Sequence, residues 1–249
     1  MTTQAKPKYV YGVTPRTASA LRGTGIRRRR LHAIEDGQLA AIVSDAPEGD
    51  IQAGREELLT HARVLGRARA QGVVLPMRFG VVMPDEDAVR RELLEEYRDE
   101  LLLQLREVDG KGELRLRAVY DEDALMKEIV EAHSDIAALS AALRGRPADA
   151  LYYERIELGQ KVARAVEQAA IVDLSAIVDA LEPLAVAVQV GEPDHEHVAA
   201  NVSFLVEDAQ IPAFDQAVDA LGRQNAGRLT FKYTGPLPPY SFVELPAHG

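Results

Sequence analysis

Two periods of apolar residues divide this chain. Alternation at every second position marks strands buried on one face, and recurrence at three to four positions marks helices. Residues 9–13 (YVYGV) read as a short strand that stops at Thr14-Pro15. Residues 15–21 have room for a brief helix, because proline suits a first helical position. Two apolar stretches flank Glu35-Asp36-Gly37, a hairpin signal, and predict strands at 28–35 and 38–44. From 55 to 70, Leu58, Ala62 and Leu65 recur at helical spacing. Residues 73–83, VVLPMRFGVVM, then read as one buried strand carrying three misfits. Pro76 lacks a ladder donor, which suggests an edge position or a bulge, and Gly80 suggests a close backbone approach. Arg78 brings a charge that needs a partner, and Glu154 or Glu157 is the expected one, in a buried pair. A helix follows over 85–106 on Val89, Leu93, Leu94, Tyr97, Leu101 and Leu105.

The second half carries a clearer pattern. Leu114, Leu116, Ala118 and Tyr120 alternate with Glu113, Arg115, Arg117 and Val119, as in a strand with one buried face. A helix over 121–144 bears a seam of Leu125, Ile129, Ala132, Ile136, Leu139 and Leu143. A second helix, running to 181, repeats that spacing at Leu158, Val162, Ala165, Ala169 and Val172. Together they predict an antiparallel helical hairpin over 121–181 with coiled-coil seams, its longer arm about 40 Å long. Alternating runs at 184–190 and 198–206, a short helix over 211–221 and a last strand on Leu229, Phe231 and Tyr233 complete the order. That order, β-α(α)-β-β-α-β, predicts an α+β, two-domain protein whose C-terminal domain is a modified ferredoxin-like sheet with an enlarged helical hairpin. The first half reads in the same order with a very short first helix, so it too is expected to be α+β and open to a ferredoxin-like reading. The expected boundaries are 1–110, 111–235 and a tail, 236–249. Prolines make that tail stiff, while Tyr240, Phe242, Val243 and Leu245 favour its packing across the body and fastening the two domains.

Composition narrows the partners. The formal charge of −10 and pI near 5.2 argue against a general nucleic-acid binder. The chain has no cysteine, so disulfides, thiolate nucleophiles and cysteine zinc sites do not arise. No apolar run approaches the roughly 20 residues that span a bilayer, and the first residues lack a secretory apolar core. A cytoplasmic protein with neither nucleic acid nor membrane as partner is expected.

Candidate chemistry is sparse. Asp194-His195-Glu196-His197 resembles a metal signature, but it falls in a predicted polar turn and no third ligand is identifiable. The basic run over 27–30 reads as a solvated strand entrance without the aromatic residues that stack on bases. Walker, HExxH and GxSxG patterns do not occur. No catalytic residue, metal or cofactor is therefore expected, and nothing in the pattern argues for an enzyme. The surface that does stand out is the predicted open sheet face. There Arg115, Arg117, Arg228 and Lys232 would cluster on neighbouring strands and receive an acidic element.

The elements VVLPMRFGVVM and TGPLPPYSFVEL, with KYVYGV near the start and Tyr152-Tyr153-Glu154-Arg155 opening the long helix, resemble the gas vesicle protein F/L family over nearly the whole chain. The resemblance implies a two-domain, non-enzymatic accessory protein of gas vesicle assembly, without separating the F from the L branch. It implies partners as well: the small hydrophobic gas vesicle shell protein (protein A) and other accessory proteins, during nucleation or growth, with the chain associated with the vesicle. Pro76, Arg78, Phe79 and Gly80 are then a structural latch, and Pro238, Pro239, Tyr240 and Phe242 pack the tail. Two other classes remain open at this stage: a small-molecule sensor or enzyme on paired ferredoxin-like domains, and a homo-oligomeric scaffold joined through its helical seams.

Overall fold

The computed structural model describes residues 6–18, 21–49, 51–145, 151–193, 195 and 197–245. The chain forms two compact units, Met1–Glu113 with Pro236–Gly249, and Leu114–Gly235. The first unit is built on β1 (Lys8–Pro15), β2 (Leu31–Asp36) and β3 (Leu39–Asp45). The turn between β2 and β3 places Gly37 at a φ of 57°, the left-handed region that glycine enters freely. β1 runs antiparallel to β3, with Lys8 opposite Asp45 and Pro15 opposite Leu39, and a register shift between Val10 and Gly12 leaves Tyr11 as a bulge.

That bulge decides the fate of residues 73–83. They form not one strand but two short ones, β4 (Leu75–Pro76) and β5 (Val82–Met83), both antiparallel to β1. The Tyr11 carbonyl accepts from Met77 N–H (2.8 Å), and Val81 C=O accepts from Val10 N–H (3.0 Å). Between these bonds the chain turns outward through Arg78, Phe79 and Gly80. Gly80 sits at a φ of 95°, and an added Cβ would meet open space. Its role is therefore conformational, not the close approach expected from the sequence. Pro76 stands opposite Gly12 at the margin of the sheet, where a missing donor costs nothing. Arg78 is exposed, not the buried charge expected from the sequence.

Helix α1 (Arg55–Arg69) buries His61, Val64, Leu65 and Ala68, while Leu58 and Ala62 face solvent. The predicted stripe is thus turned by roughly one position, because a histidine joins the core. The expected helix over 85–106 is three pieces: α2 (Glu86–Ala88), a π-helical stretch Val89–Glu95, and α3 (Arg98–Val108). Asp85 caps the first piece through Ala88 N–H (2.8 Å). The wide turn lets Leu93, Leu94, Leu101 and Leu105 all reach the core despite their uneven spacing.

The second unit holds most of β6 (Lys111–Tyr120) and β9 (Leu229–Leu237), together with α4 (Glu122–Ala132), α5 (Ser134–Leu143), α6 (Tyr152–Leu181), β7 (Ala187–Val190), β8 (Val198–Glu207) and α7 (Ile211–Gln224). Its sheet order is β7-β8-β6-β9, and that of the first unit is β2-β3-β1-β4. Counted from each unit's own first strand, both run second, third, first, fourth. Leu116, Ile177, Leu181, Phe204 and Phe214 anchor the core of the second unit. Each such side chain, fully buried, contributes about 1.5–3 kcal/mol.

The first arm of the predicted hairpin is two helices, broken at His133, whose extended backbone (φ −119°, ψ 94°) ends α4 and starts α5. Leu125, Ile129, Ile136 and Leu143 are buried as the seam requires, but Ala132 at the break is exposed. On α6 the buried line passes through Ala165, Ile177 and Leu181, leaving Val172 at 58 % exposure. β9 continues through Pro236 to Leu237, into the stretch the sequence reading gave to the tail. An edge strand tolerates a proline that a central strand would not.

Candidate functional site

The two sequence signatures, more than 150 positions apart, meet in the first unit. Tyr9 and Tyr11 project from β1 into a buried ring cluster with His61 of α1 and Phe79 of the turn. Met77 C=O lies 3.1 Å from His61 Nε2 and can only accept, so Nε2 carries the proton. Nδ1 then accepts from Tyr9 Oη at 2.9 Å, and Tyr9 Oη in turn accepts from Gly80 N–H at 3.1 Å. Tyr11 Oη accepts from Ile26 N–H (2.8 Å) and lies 3.2 Å from Ser44 Oγ. Burial pushes both phenol pKa values up, and it lowers that of His61 to about 4 despite the Met77 carbonyl. Tyr9 and His61 spend their polar atoms on one another and on the turn. Their chemistry is positioning: they hold the Met77–Gly80 turn in place.

The tail completes the same body. Pro238 and Pro239 are buried, and Tyr240 packs on the ring cluster. Ser241 donates to Glu113 twice, from its N–H (2.7 Å) and its hydroxyl (2.8 Å). Glu244 and Gln104 exchange a reciprocal pair, Glu244 N–H to Oε1 (2.9 Å) and Nε2 to the Glu244 carbonyl (2.7 Å). Phe242 is half-buried beside them. Turn and tail together line a cleft of about 250 Å³, with Pro76, Met77 and Val81 on one wall, Val243 and Leu245 on the other, and Arg78 and Glu244 also lining it. Sequence reasoning missed Glu113: alternation placed it outward, yet it is fully buried because its partner arrives from 128 residues later.

In the second unit Arg115 and Lys232 are exposed on neighbouring strands, opposite the core-facing Leu116 and Phe231. Arg117 is half-buried, with Nη2 2.9 Å from His195 Nε2. Arg228 does not join this set. It precedes β9, and its guanidinium turns to the helices instead, holding Asp173 of α6 through two bonds (2.8 and 2.8 Å) and Glu128 of α4 through two more (2.6 and 3.2 Å). Tyr120 donates to the same Asp173 carboxylate, and the guanidinium lies 5.6 Å from its ring centre. Asp194 and Glu196 lie outside the described residues. Among the described residues no group of three or more metal-ligating side chains converges. No described helix is long and apolar enough to cross a membrane. The basic run over 27–30 is exposed and precedes β2 as a 3-10 turn, where Arg27 and Arg28 have φ values of 47° and 58°.

Comparison with known proteins places these features. A sequence model described as "Gas vesicle synthesis protein GvpL/GvpF" matches residues 7–244. Gas vesicle protein F of a Streptomyces species is 39 % identical over 240 residues, covering 95 % of this chain and 99 % of that protein. Gas vesicle protein L2 of Halobacterium salinarum is 26 % identical, covering 95 % and 91 %. The crystal structure of GvpF from Anabaena superposes with a TM-score of 0.83 at 23 % identity, covering 98 % of this chain and all of that one. That of GvpF from Microcystis aeruginosa gives 0.80 at 24 %, covering 96 % and 99 %. At these identities the two structures speak for the fold, and the sequence matches speak for the kinship. The chain belongs to the GvpL/GvpF family of gas vesicle synthesis proteins.

Proposed function

We propose that this protein is a non-enzymatic assembly factor that binds the small hydrophobic gas vesicle shell protein, alone or with other accessory proteins, during nucleation or growth. The observation that carries the reading is the family match over residues 7–244, nearly the full chain. A shell subunit must hide apolar surface and open strand edges until it is incorporated, and a two-unit binder suits that task. In this reading the second unit is a ferredoxin-like domain whose exposed Arg115 and Lys232, with the half-buried Arg117, receive an acidic segment of a partner. The tail and the Pro76–Gly80 turn serve as the latch of the first unit. The protein acts in the cytoplasm and at the vesicle.

The test is co-purification of the full chain with the shell protein, alongside deletion in a vesicle-forming host. Retention of the shell protein and loss of vesicles are expected. No retention, together with normal vesicles after deletion, would overturn the proposal. An Arg115→Glu, Lys232→Glu variant that still binds fully would remove the basic face from it.

A second reading, a small-molecule site, has one observation in its favour. A groove of about 410 Å³ in the second unit has a floor of Leu125, Met126, Val162 and Val166, with Glu122, Glu167, His195 and His197 also lining it. Stabilisation of the isolated protein by a metabolite extract, lost in a Val166→Arg variant, would favour it over shell binding.

A further inference from the structure

Four sheet margins exist in the described structure, and three of them carry the devices that discourage pairing with another chain. β2 bears His32, Glu35 and Asp36. β4 and β5, at the far side of that sheet, are two residues each, one of them Pro76. β9 bears Lys232 and ends in Gly235-Pro236-Leu237. Charges, prolines and short length are the ordinary ways in which an edge is protected. β7 has none of the charges or prolines. Its residues are Ala187-Val188-Gln189-Val190, preceded by Ala185-Val186; its register against β8 is unbroken from Ala187 to Val190, and the irregularity lies just before it, where Val186 N–H donates to Leu205 C=O at 2.7 Å. Yet β7 holds the same place in its sheet as β2 does in the other.

The direction of its hydrogen bonds is set by the ladder. Gly191 N–H donates to Asn201 C=O at 2.8 Å, and the register continues as Gln189 opposite Ser203 and Ala187 opposite Leu205. In an antiparallel pair the bonded positions alternate, so Val188 and Val190 turn their N–H and C=O outward. An added strand would find about four backbone groups there. Beside them stand Val186 and Val190, at 54 % and 52 % exposure.

We propose that the outer edge of β7 accepts an extended strand of another protein by β-augmentation, the strand being uncharged, rich in β-branched residues and flanked by lysine or arginine. The flanking charge follows from Glu182 and Glu192, both exposed, which bracket β7. A second copy of this chain fits poorly. Antiparallel self-pairing would bring Glu192 of each copy toward Glu182 of the other, and like charges across a ladder oppose pairing. Four residues per copy also fall well short of the roughly 1,200 Å² that stable interfaces bury. This inference does not depend on the partner assigned above.

The experiment uses the full chain and a synthetic peptide, acetyl-Lys-Lys-Thr-Val-Thr-Val-Thr-Val-Lys-Lys-amide, followed by amide hydrogen exchange. At saturating peptide, the Val188 and Val190 amides are expected to exchange at least about tenfold more slowly. Val190→Pro, which leaves Val188 as the reporting amide, should abolish the slowing at Val188 with an unchanged melt, because the Val190 N–H takes no part in the β7–β8 ladder. Val190→Lys is the second variant and should act likewise. Unchanged exchange at millimolar peptide overturns the proposal, as does equal protection in both variants. Equal binding of a peptide with glutamate in place of lysine refutes the charge requirement. Sedimentation showing a dimer that Val190→Lys dissolves would assign the edge to a second copy instead.

Discussion

At His61, burial sets the sign of a pH dependence. The imidazole is 4 % exposed and its pKa is lowered to about 4, whereas an unfolded histidine titrates near 6.5. Between those values the unfolded chain binds the proton and the folded one does not. Stability from this site is therefore complete above about pH 6.5 and declines as the pH falls toward 4, by up to about 3 kcal/mol. Urea unfolding of wild type and His61→Gln across pH 4.5–7.5 checks this. The wild type should lose more stability over that window, since glutamine does not titrate. Parallel slopes would show that His61 is not the source. Helical spacing marked α1, but not that a histidine would sit on its buried face. The acceptor at Met77 and the donor at Tyr9 come from other segments, so only the folded arrangement makes that burial tolerable.

At the scale of elements, α4, α6 and the approach to β9 are joined through Arg228. Its guanidinium serves two carboxylates, and the side chain is 27 % exposed against 13 % for Asp173. Removing it leaves Asp173 with a partially buried charge. Arg228→Ala is expected to cost about 1–3 kcal/mol in chemical denaturation. Arg228→Lys should recover only part of that, because an ammonium cannot reproduce two forked contacts. A loss below about 0.5 kcal/mol would reduce the network to a surface ion pair. Strand alternation assigned Arg228 to the open face, and it failed there because the residue lies just before the first residue of β9. The same reasoning succeeded for Arg115 and Lys232, which lie inside strands. The helical seams likewise predicted the burial of Leu125, Ile129, Ile136 and Leu143, but not the exposure of Ala132 and Val172 or the break at His133, where no proline or glycine announces it.

For the whole molecule, the tail is the element to test. It returns after the second unit to supply Tyr240 to the ring cluster and Ser241 to the buried Glu113. Truncation after Thr234 should expose Tyr9, Tyr11 and Phe79 to water and leave Glu113 without the two Ser241 donors. The melting temperature should fall and limited proteolysis should open the first unit before the second. Ser241→Ala isolates the hydroxyl bond to the carboxylate and should cost about 1.5–3 kcal/mol. Unchanged melting after truncation would mean that the tail only rests on the surface.

Local pattern alone determined much of this protein: most strands and helices, the order in which they follow, the α+β class and the motifs that mark the family. Those properties depend on neighbours a few residues apart, where periodicity and turn chemistry act. Tertiary structure alone decided that VVLPMRFGVVM splits into two short strands around a turn, that Arg78 stays in solvent, that Arg228 serves the helices and that Glu113 is buried. The split strand, Arg228 and Glu113 turn on hydrogen-bond or ion-pair partners brought together from distant segments, Arg78 follows the turn outward, and a buried polar group is placed by the partner that satisfies it.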